Sequence, residues 1–475
     1  MKILAIQPQK TENINIVTRG TIGEPLGLAI MLAIARSRGH EIMYVPYIES
    51  MDVLLLNVKD FMPDIVLFSL MTCQYPFGEE IGKKIKEIFP KSTIIAGGYH
   101  PSSNIKPAYP FDIYIKGEGE IPFEQLLSYF EKTNIDIDKK NIPGISYFDE
   151  NMTYVSNLPE RLMDIDKYPF PYRDFNVLLQ KYYGLIYPHY LESFGFAYIE
   201  YSRGCYNSCS FCCKESMYQG NQIVFRKVEK VIEEIHYLMR NNIDLLFFTD
   251  LNFTANHQKV FELCNEIKKC KINISWFCMS NIDTAYNDEL IKAMAEAGCV
   301  KIMYGVESLS INIQQETKKN LENIQQILGL ADKHGILCQI FYMIGFPWET
   351  ENDIYSLIPE IIQLPAHQIR IAVATPLPGS RWYEELDKSN LSQNDFSQFD
   401  TENLVWNDNK YSDISQITKN ICQQFYSSEA YRERLESFLS RYPKYNDSFY
   451  YFFASLTELG VIEKDKIKIQ LKKET

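Results

Sequence analysis

No run of apolar residues in this 475-residue chain approaches the ~20 that a membrane span requires. The longest one near the start covers residues 27–35, and Lys2 is followed by strand-like rather than signal-like sequence. The sequence therefore predicts a cytoplasmic protein without a membrane span. An excess of basic charge is missing too: 48 Lys and Arg against 61 Asp and Glu give a net charge of -13 and a pI near 5.2. That balance argues against affinity built on neutralising phosphate backbone, so no nucleic-acid partner is expected. The basic stretch 464–473 reads as a solvated end. A disulfide framework is not expected either, because the cytosol keeps thiols reduced, so the 11 cysteines are read by position. Cys264, Cys270, Cys278, Cys299, Cys338 and Cys422 stand singly among apolar residues and read as core.

What is present is globular composition, 46% hydrophobic and 23% charged, enough for two or three domains at roughly 150 residues each. Residues 1–130 alternate short apolar runs at 3–7, 41–46, 65–69, 93–96 and 113–116 with helical patterns around 26–37 and 77–89. After the turn Gly117-Glu118-Gly119-Glu120 a further helix runs to 130. This alternation predicts a doubly wound, Rossmann-like α/β domain. Residues 131–194 lose the pattern among Pro143-Gly144, Pro159, Pro169 and Pro171, and read as a linker with one hairpin.

Over 195–386 a βα rhythm resumes, with strands at 196–202, 245–249, 272–277, 300–304, 337–343 and 369–374. Helical patterns at 228–240, 287–297, 321–333 and 351–363 separate them, which predicts a partial (β/α)6 barrel. From 387 to 475 strand signals fade. Aromatic-rich helices around 431–442 and 449–459 predict a small helical C-terminal cap.

Directly after the first barrel strand comes Ser202-Arg203-Gly204-Cys205-Tyr206-Asn207-Ser208-Cys209-Ser210-Phe211-Cys212, a C-x3-C-x2-C loop. A cubane iron-sulfur cluster ordinarily takes four thiolates, and three leave one iron with an open position, as a catalytic metal requires. Structural zinc would need a fourth ligand. The neighbour Cys213 directly follows Cys212, so the two side chains hardly converge on one ion; a ligand from elsewhere stays open. Cys213 reads as packing against the loop.

This loop at the head of a βα barrel, with an aromatic residue before its last Cys, resembles the radical S-adenosylmethionine (SAM) superfamily. The resemblance implies a 4Fe-4S cluster on Cys205, Cys209 and Cys212, with SAM chelating the open iron and reductively cleaved to a radical that abstracts hydrogen from substrate. Thr249-Asp250-Leu251-Asn252-Phe253 and Gly305-Val306-Glu307-Ser308 resemble the family's turns at the ends of the second and fourth strands. SAM contacts are thereby implied for Asp250, Gly305, Glu307, Ser308 and Phe211, with a helix cap or turn as the bland reading of Asp250. Gly345-Phe346-Pro347-Trp348-Glu349-Thr350 and Thr375-Pro376-Leu377-Pro378-Gly379-Ser380 resemble turns of one branch, and by default fix backbone shape. After the third strand, where that branch commonly shows Arg, this chain reads Ser280-Asn281-Ile282-Asp283.

The branch is the cobalamin-binding one. Residues 1–130 resemble its B12 module through Ser69-Leu70-Met71-Thr72, Gly97-Gly98-Tyr99-His100 and Gly117-Glu118, with Ser69 and Gly97 28 positions apart. A hydroxyl at a strand end can hydrogen-bond a buried nucleotide tail, and paired glycines let the tail pass close to backbone. The upstream element that supplies an axial His elsewhere reads Ile22-Gly23-Glu24-Pro25-Leu26-Gly27, without His. Met71 to Tyr75 are then expected to face cobalt, and His100 reads as a turn residue before Pro101. A scaffold that binds nothing is the alternative.

Together these features predict a cobalamin-dependent radical SAM enzyme acting on an unactivated carbon of a small-molecule or peptide substrate, by methyl transfer. A flavodoxin- or ferredoxin-type reductant is expected. Rearrangement, cyclisation or carbon-carbon coupling without methylation is the alternative chemistry, and an iron-sulfur sensor or electron carrier the non-catalytic one.

Overall fold

Ile3, Leu4, Ala5 and Ile6 are all fully buried, as a parallel strand covered on both faces must be. They form β1 (Lys2–Ile6) in a computed structural model that describes residues 1–9, 25–132, 137–175, 195–317, 321–392, 395–406, 410–458 and 460–463. Contacts divide the chain into two units. The first comprises Met1–Val177, Tyr206–Val224 and Thr375–Asp400, the second Leu178–Cys205, Phe225–Ala374 and Thr401–Thr475.

In the first unit β1 pairs in parallel with β2 (Glu41–Val45) and β3 (Ile65–Ser69), followed by β4 (Thr93–Gly97) and β5 (Ile113–Ile115). Ile3, Ala5, Leu67 and Ile95 pack one face against the helices Leu26–Ser37 and Glu120–Glu131. Leu4, Ile6, Val66 and Ile94 pack the other against Met51–Phe61 and Tyr75–Ile88. The domain is doubly wound, as its alternation predicts. Antiparallel β6 (Ile145–Phe148) and β7 (Tyr154–Ser156) complete the order β2-β1-β3-β4-β5-β6-β7. The sheet thus continues into the segment read as linker, whose strands are too short to carry a period. Strand order reverses between β1 and β3, and ligands of such sheets sit beyond the strand ends at that reversal.

The second unit holds six parallel strands adjacent in chain order: β8 (Phe196–Ile199), β9 (Leu245–Phe248), β10 (Ser275–Asn281), β11 (Cys299–Glu307), β12 (Leu337–Ile344) and β13 (Gln368–Val373). Trp276, Cys278, Ile302, Tyr304, Ile340 and Tyr342 on one face are buried. Met279, Gln339, Phe341, Met343, Arg370 and Ala372 on the other keep partial exposure, so the barrel is partial and its inner wall reachable. Of the six cysteines read as core, Cys270 is the exception, half-buried at a helix end.

Three helices follow, Ile414–Ser427, Glu429–Arg441 and Asn446–Glu458, the first of which the sequence pattern had not singled out. Tyrosines of the first two helices and of the turn before the third bind strand beginnings. Tyr426 Oη accepts from Ile369 N at 2.9 Å and donates to Ile369 O at 3.1 Å, on the sheet's outer strand β13. Tyr431 Oη donates to His367 O at 2.9 Å, and Tyr445 Oη to Gly335 O at 2.9 Å. The helices therefore cover an edge that would otherwise offer unpaired backbone. Among the described residues no helix is long and apolar enough to cross a membrane.

Tyr426→Phe leaves a buried N–H and a buried C=O without their partner. It is expected to cost about 1–3 kcal/mol, read as a lower urea midpoint at unchanged slope; an unchanged midpoint would show that the edge is held by packing alone.

Candidate active site

Beyond β8 the backbone leading to the cysteine loop is tied down residue by residue. Tyr201 is fully buried, its ring 5.4 Å from Phe225 and its hydroxyl donating to Lys259 O at 3.0 Å. Asp250, at the end of β9, accepts from Tyr201 N at 3.0 Å and from Ser202 Oγ at 2.6 Å. Arg203 Nε donates to Glu200 at 2.8 Å, while Arg226 donates to Glu200 O at 3.0 Å and to buried Glu234 at 2.6 Å. Gly204 has φ of +100°, a conformation that side chains resist, and releases the chain into Cys205. Burial pushes the Asp250 carboxyl up to about 7, against the two hydrogen bonds it accepts and with the help of nearby Glu200. The structure gives Asp250 neighbours that belong to the loop it fixes.

In the first unit the loop continues against the Thr375–Ser380 turn. Trp382 N donates to Ser210 O at 2.9 Å, and Cys213 Sγ lies 3.6 Å from Pro378 O. Gly379 has φ of +88°, and a Cβ there would stand 2.9 Å from the Ser216 side chain, so the glycine of this turn serves close approach to the loop. Cys205 and Cys209 are half-buried, Phe211 likewise, and Cys212 is exposed. Cys213 is buried, and burial, with the neighbouring Cys212, pushes its thiol up to about 12. The thiolate is the metal-binding form, so Cys213 is the unsuited member of the four. Among the described residues, no three His, Cys, Asp or Glu side chains are gathered as a single-ion site.

At the end of β11 the register against β12 shifts between Gly305 and Glu307, and Glu307 takes φ of +67°. A left-handed non-glycine residue costs about 1–3 kcal/mol, and such strain persists where surroundings over-determine it, frequently at functional sites. Ser308 is fully buried, its hydroxyl 3.2 Å from Tyr342 Oη and accepting from Ser310 N at 3.1 Å, so it fixes the turn. Glu349 does the same in its own turn, buried and accepting from Phe346 N at 3.0 Å, with exposed Trp348 stacked on Phe346.

A polar network that the sequence did not announce joins the ends of β9 and β10. Asn252 Oδ1 accepts from Asn281 N and from Thr284 Oγ1, both at 3.0 Å, and Thr254 is within hydrogen-bond reach of Ser280 and Thr284. The Asn281 Nδ2 is buried without a hydrogen-bond partner, on the strand level of Gly305. Single Asn and Thr residues in turns carry no periodicity that would have marked them.

In the first unit Ser69 ends β3 with a half-buried hydroxyl that has no hydrogen-bond partner among the described residues. Met71 is 38% exposed, an apolar side chain at the rim of the strand-order reversal. Leu70 N donates to Gly97 O at 2.8 Å, and His100 N to Leu70 O at 3.1 Å. Gly98, φ +100°, is squeezed by this pairing: a Cβ would lie 2.8 Å from Leu70 O. At Gly97 a Cβ would meet nothing closer than 3.8 Å. Space for a passing ligand therefore lies at Gly97, while Gly98 serves the backbone.

Tyr99 begins a one-turn helix, Tyr99–Ser102, and Thr72 is buried 3.4 Å from His100 Nδ1. His100 is no exposed turn residue: it is fully buried, 4.2 Å from the Tyr75 ring and 4.8 Å from Phe396. Gly117 donates to Ser102 Oγ, and Glu118 pairs with Arg161 and accepts from Leu162 N at 3.0 Å. Glu118 thus anchors the chain beyond β7. Residues 22–24 of the upstream element, Glu24 included, lie outside the described residues.

Two family models match this architecture: that of the B12 binding domain over residues 12–127 and that of the Radical SAM superfamily over residues 199–361. The chain thus carries a region that matches the Radical SAM superfamily and, ahead of it in sequence, one that matches the B12 binding domain. It is similar to an uncharacterized methyltransferase of Pyrococcus horikoshii, 29% identical over 431 residues that cover 88% of each chain. The hopanoid C-3 methylase of Methylococcus capsulatus is 26% identical over 85% of this chain and 76% of its own. An anaerobic magnesium-protoporphyrin IX monomethyl ester cyclase of Cereibacter sphaeroides is 22% identical over 72% of this chain and 56% of its own. Among solved structures, the cobalamin-dependent SAM radical enzyme OxsB superposes with a TM-score of 0.66 at 15% identity, covering 98% of this chain and 76% of that one. The SAM methyltransferase TsrM of Kitasatospora setae gives 0.63 at 17%, covering 80% and 76%.

The Asp250 value of about 7 lies above the ordinary ~3.9 of a free carboxyl, so the fold favours the protonated form. Its contribution to stability is complete below about pH 4 and is lost as pH rises through about 7. Relative to Asp250→Asn, which can still accept from Tyr201 N and donate to Ser202, the wild type is expected to lose unfolding free energy between pH 5 and 8. Parallel curves for the two proteins over that range would refute the buried neutral carboxyl.

Proposed function

We propose that this chain is a cobalamin-dependent radical SAM enzyme that functionalises an unactivated carbon by methyl transfer. The observation that carries the reading is the contrast within one loop. Cys205, Cys209 and Cys212 keep solvent access after a fully tethered strand end, while adjacent Cys213 is sealed against Pro378. The three accessible thiols would hold a 4Fe-4S cluster with one iron left for SAM. When bound, the cluster and SAM supply a carbon radical and cobalamin supplies a methyl carrier.

The chain's own residues have separate tasks. Asp250, through Tyr201 and Ser202, positions the loop before any metal arrives. Glu307, in the strained turn that Ser308 helps to fix, would offer its carboxylate to SAM. Gly305 and Asn281, level with each other across β10 and β11, would neighbour the cofactor, and the family's motif assigns Phe211 to it as well. In the B12 domain the free Ser69 hydroxyl and the open flank of Gly97 suit a nucleotide tail, with Leu70, Met71, Thr72, Gly98 and Tyr99 shaping the rim. The Glu118 carboxylate is engaged by Arg161, so Gly117 and Glu118 support that rim rather than touch the ligand. A one-electron reductant of flavodoxin or ferredoxin type would serve the cluster, which suits a cytoplasmic setting.

Both kinds of relative, methyltransferase and cyclase, fit these cofactors, and the fate of the SAM methyl group separates them. Anaerobic reconstitution with iron, sulfide and cobalamin, followed by methyl-labelled SAM, is expected to release 5'-deoxyadenosine and transfer label to substrate. Release without transfer would favour the cyclase chemistry; no release would remove the enzyme reading.

Replacing Cys205, Cys209 or Cys212 with Ala is expected to abolish cluster absorbance, and Cys213→Ala to retain it. Glu307→Gln should weaken SAM binding by ~1–3 kcal/mol through loss of a charge-assisted bond, with iron content intact. Gly97→Leu should block cobalamin uptake with the cluster still formed. Gly98 is a poor probe, since any side chain there disturbs Leu70. Uptake by Gly97→Leu at wild-type level would move the tail elsewhere.

A further inference from the structure

The inner wall of the six-stranded unit is two-sided in chemistry. On β9 and β10 it is aromatic: Phe247 and Phe277, in register, stack at 4.7 Å with 7° between planes, and Tyr198 meets Phe247 edge-on at 5.3 Å. On β11 to β13 it is polar. Strand register sets Met279, Met303, Gln339 and Gln368 on one level and Asn281, Gly305, Phe341 and Arg370 on the next towards the strand ends. Lys301 lies one level deeper, beside Phe277. Lys301 is 2% exposed, and its Nζ donates to Gln368 Oε1 at 2.6 Å.

Among the described residues no carboxylate pairs with Lys301, and the charge that faces it is a second cation, Arg370. A buried ammonium without a counter-charge is costly. Burial, then Arg370, push its pKa down to about 7, against a small opposing effect of Cys338. Phe247, Phe277, Met303 and Gln368 are buried as Lys301 is, and the wall opens only at Gln339, Phe341 and Arg370, which keep partial exposure. A lysine kept only as core would leave that wall indifferent to anions.

We propose that this inner wall is the substrate site, and that it takes an elongated molecule with an aromatic or apolar body and an anionic oxygen group, carboxylate or phosphate, received by Lys301 and Arg370. The identification as substrate site rests on the radical SAM reading above. About 20 Å of strand separates Lys301 from Glu307 at ~3.3 Å per residue, so an occupant that touches the floor and reacts near the rim must be long. The binding wall itself does not depend on the cofactors.

Calorimetric titration of the full-length reconstituted chain at pH 7.5 tests it, with biphenyl-4-carboxylate, its methyl ester and biphenyl-4-yl phosphate as probes. One or both anions should bind at least tenfold more tightly than the ester, and the tighter of the two names the group. Anion binding should also take up a fraction of a proton, read as heat that differs between buffers of different ionisation enthalpy. Lys301→Met should abolish that uptake. Arg370→Gln, at a partly exposed position, should cut the anion preference about tenfold.

Equal affinity for acid and ester, binding of neither anion, or proton uptake undiminished in Lys301→Met overturns the proposal. If Lys301→Met does not fold, Arg370→Gln with wild-type preference overturns it equally. Release of 5'-deoxyadenosine by the same preparation keeps the two readings apart. Its loss with anion preference intact sinks the cofactor reading alone, and the reverse sinks the substrate wall alone.

Discussion

The chain that leads into the cysteine loop is held by a single buried carboxyl. Asp250 reaches from the end of β9 to the chain beyond β8, holding Tyr201 N and Ser202 Oγ together. Around it, Arg226 clasps Glu200 O and Glu234, and Arg203 turns back on Glu200. The parallel sheet makes this economical, because all its strands end at one rim. A residue closing β9 is then the natural neighbour of a loop opening after β8.

The same logic orders the rest of the rim. Asn252 ends its strand by binding the backbone of Asn281 at the end of the next, and the β11 bulge places Glu307 one step further round. Polar groups buried at strand ends are costly unless each has a partner. Asn281 Nδ2 is the one in this network that has none, and it sits level with Gly305.

Most of the architecture was legible because both sheets announce themselves by period. Short continuous apolar runs such as 65–69 and 245–248, too brief for a helix, read as strands buried on both faces, and helices such as Val228–Arg240 alternate with them. The three loop cysteines were legible by spacing alone. β6 and β7 form the hairpin expected in the linker, too short to carry a period of their own, whereas the Ile414–Ser427 helix does carry an apolar stripe, Ile417, Ile421, Phe425 and Tyr426, that a strand-centred reading passes over. Motif position says nothing of the partners that Glu118 and His100 take. The first is consumed by Arg161, and the second is sealed between Tyr75 and Phe396.

Lys301 illustrates the deeper limit. In sequence it is one charge in a β-branched and aromatic run, and a lone lysine in such a run suggests a strand that reaches solvent. Only the register of β11 against β12 and β13 shows it buried beside Gln368 with Arg370 one level above. Arg370, two strands away, acts on Lys301 electrostatically, which no local pattern records. The Tyr426, Tyr431 and Tyr445 hydroxyls act on the same strands from outside, fixing the beginnings of β12 and β13 from which Gln368 and Arg370 project. The C-terminal helices therefore bear on the inner wall without lining it: they hold in register the strands whose alternate residues make it.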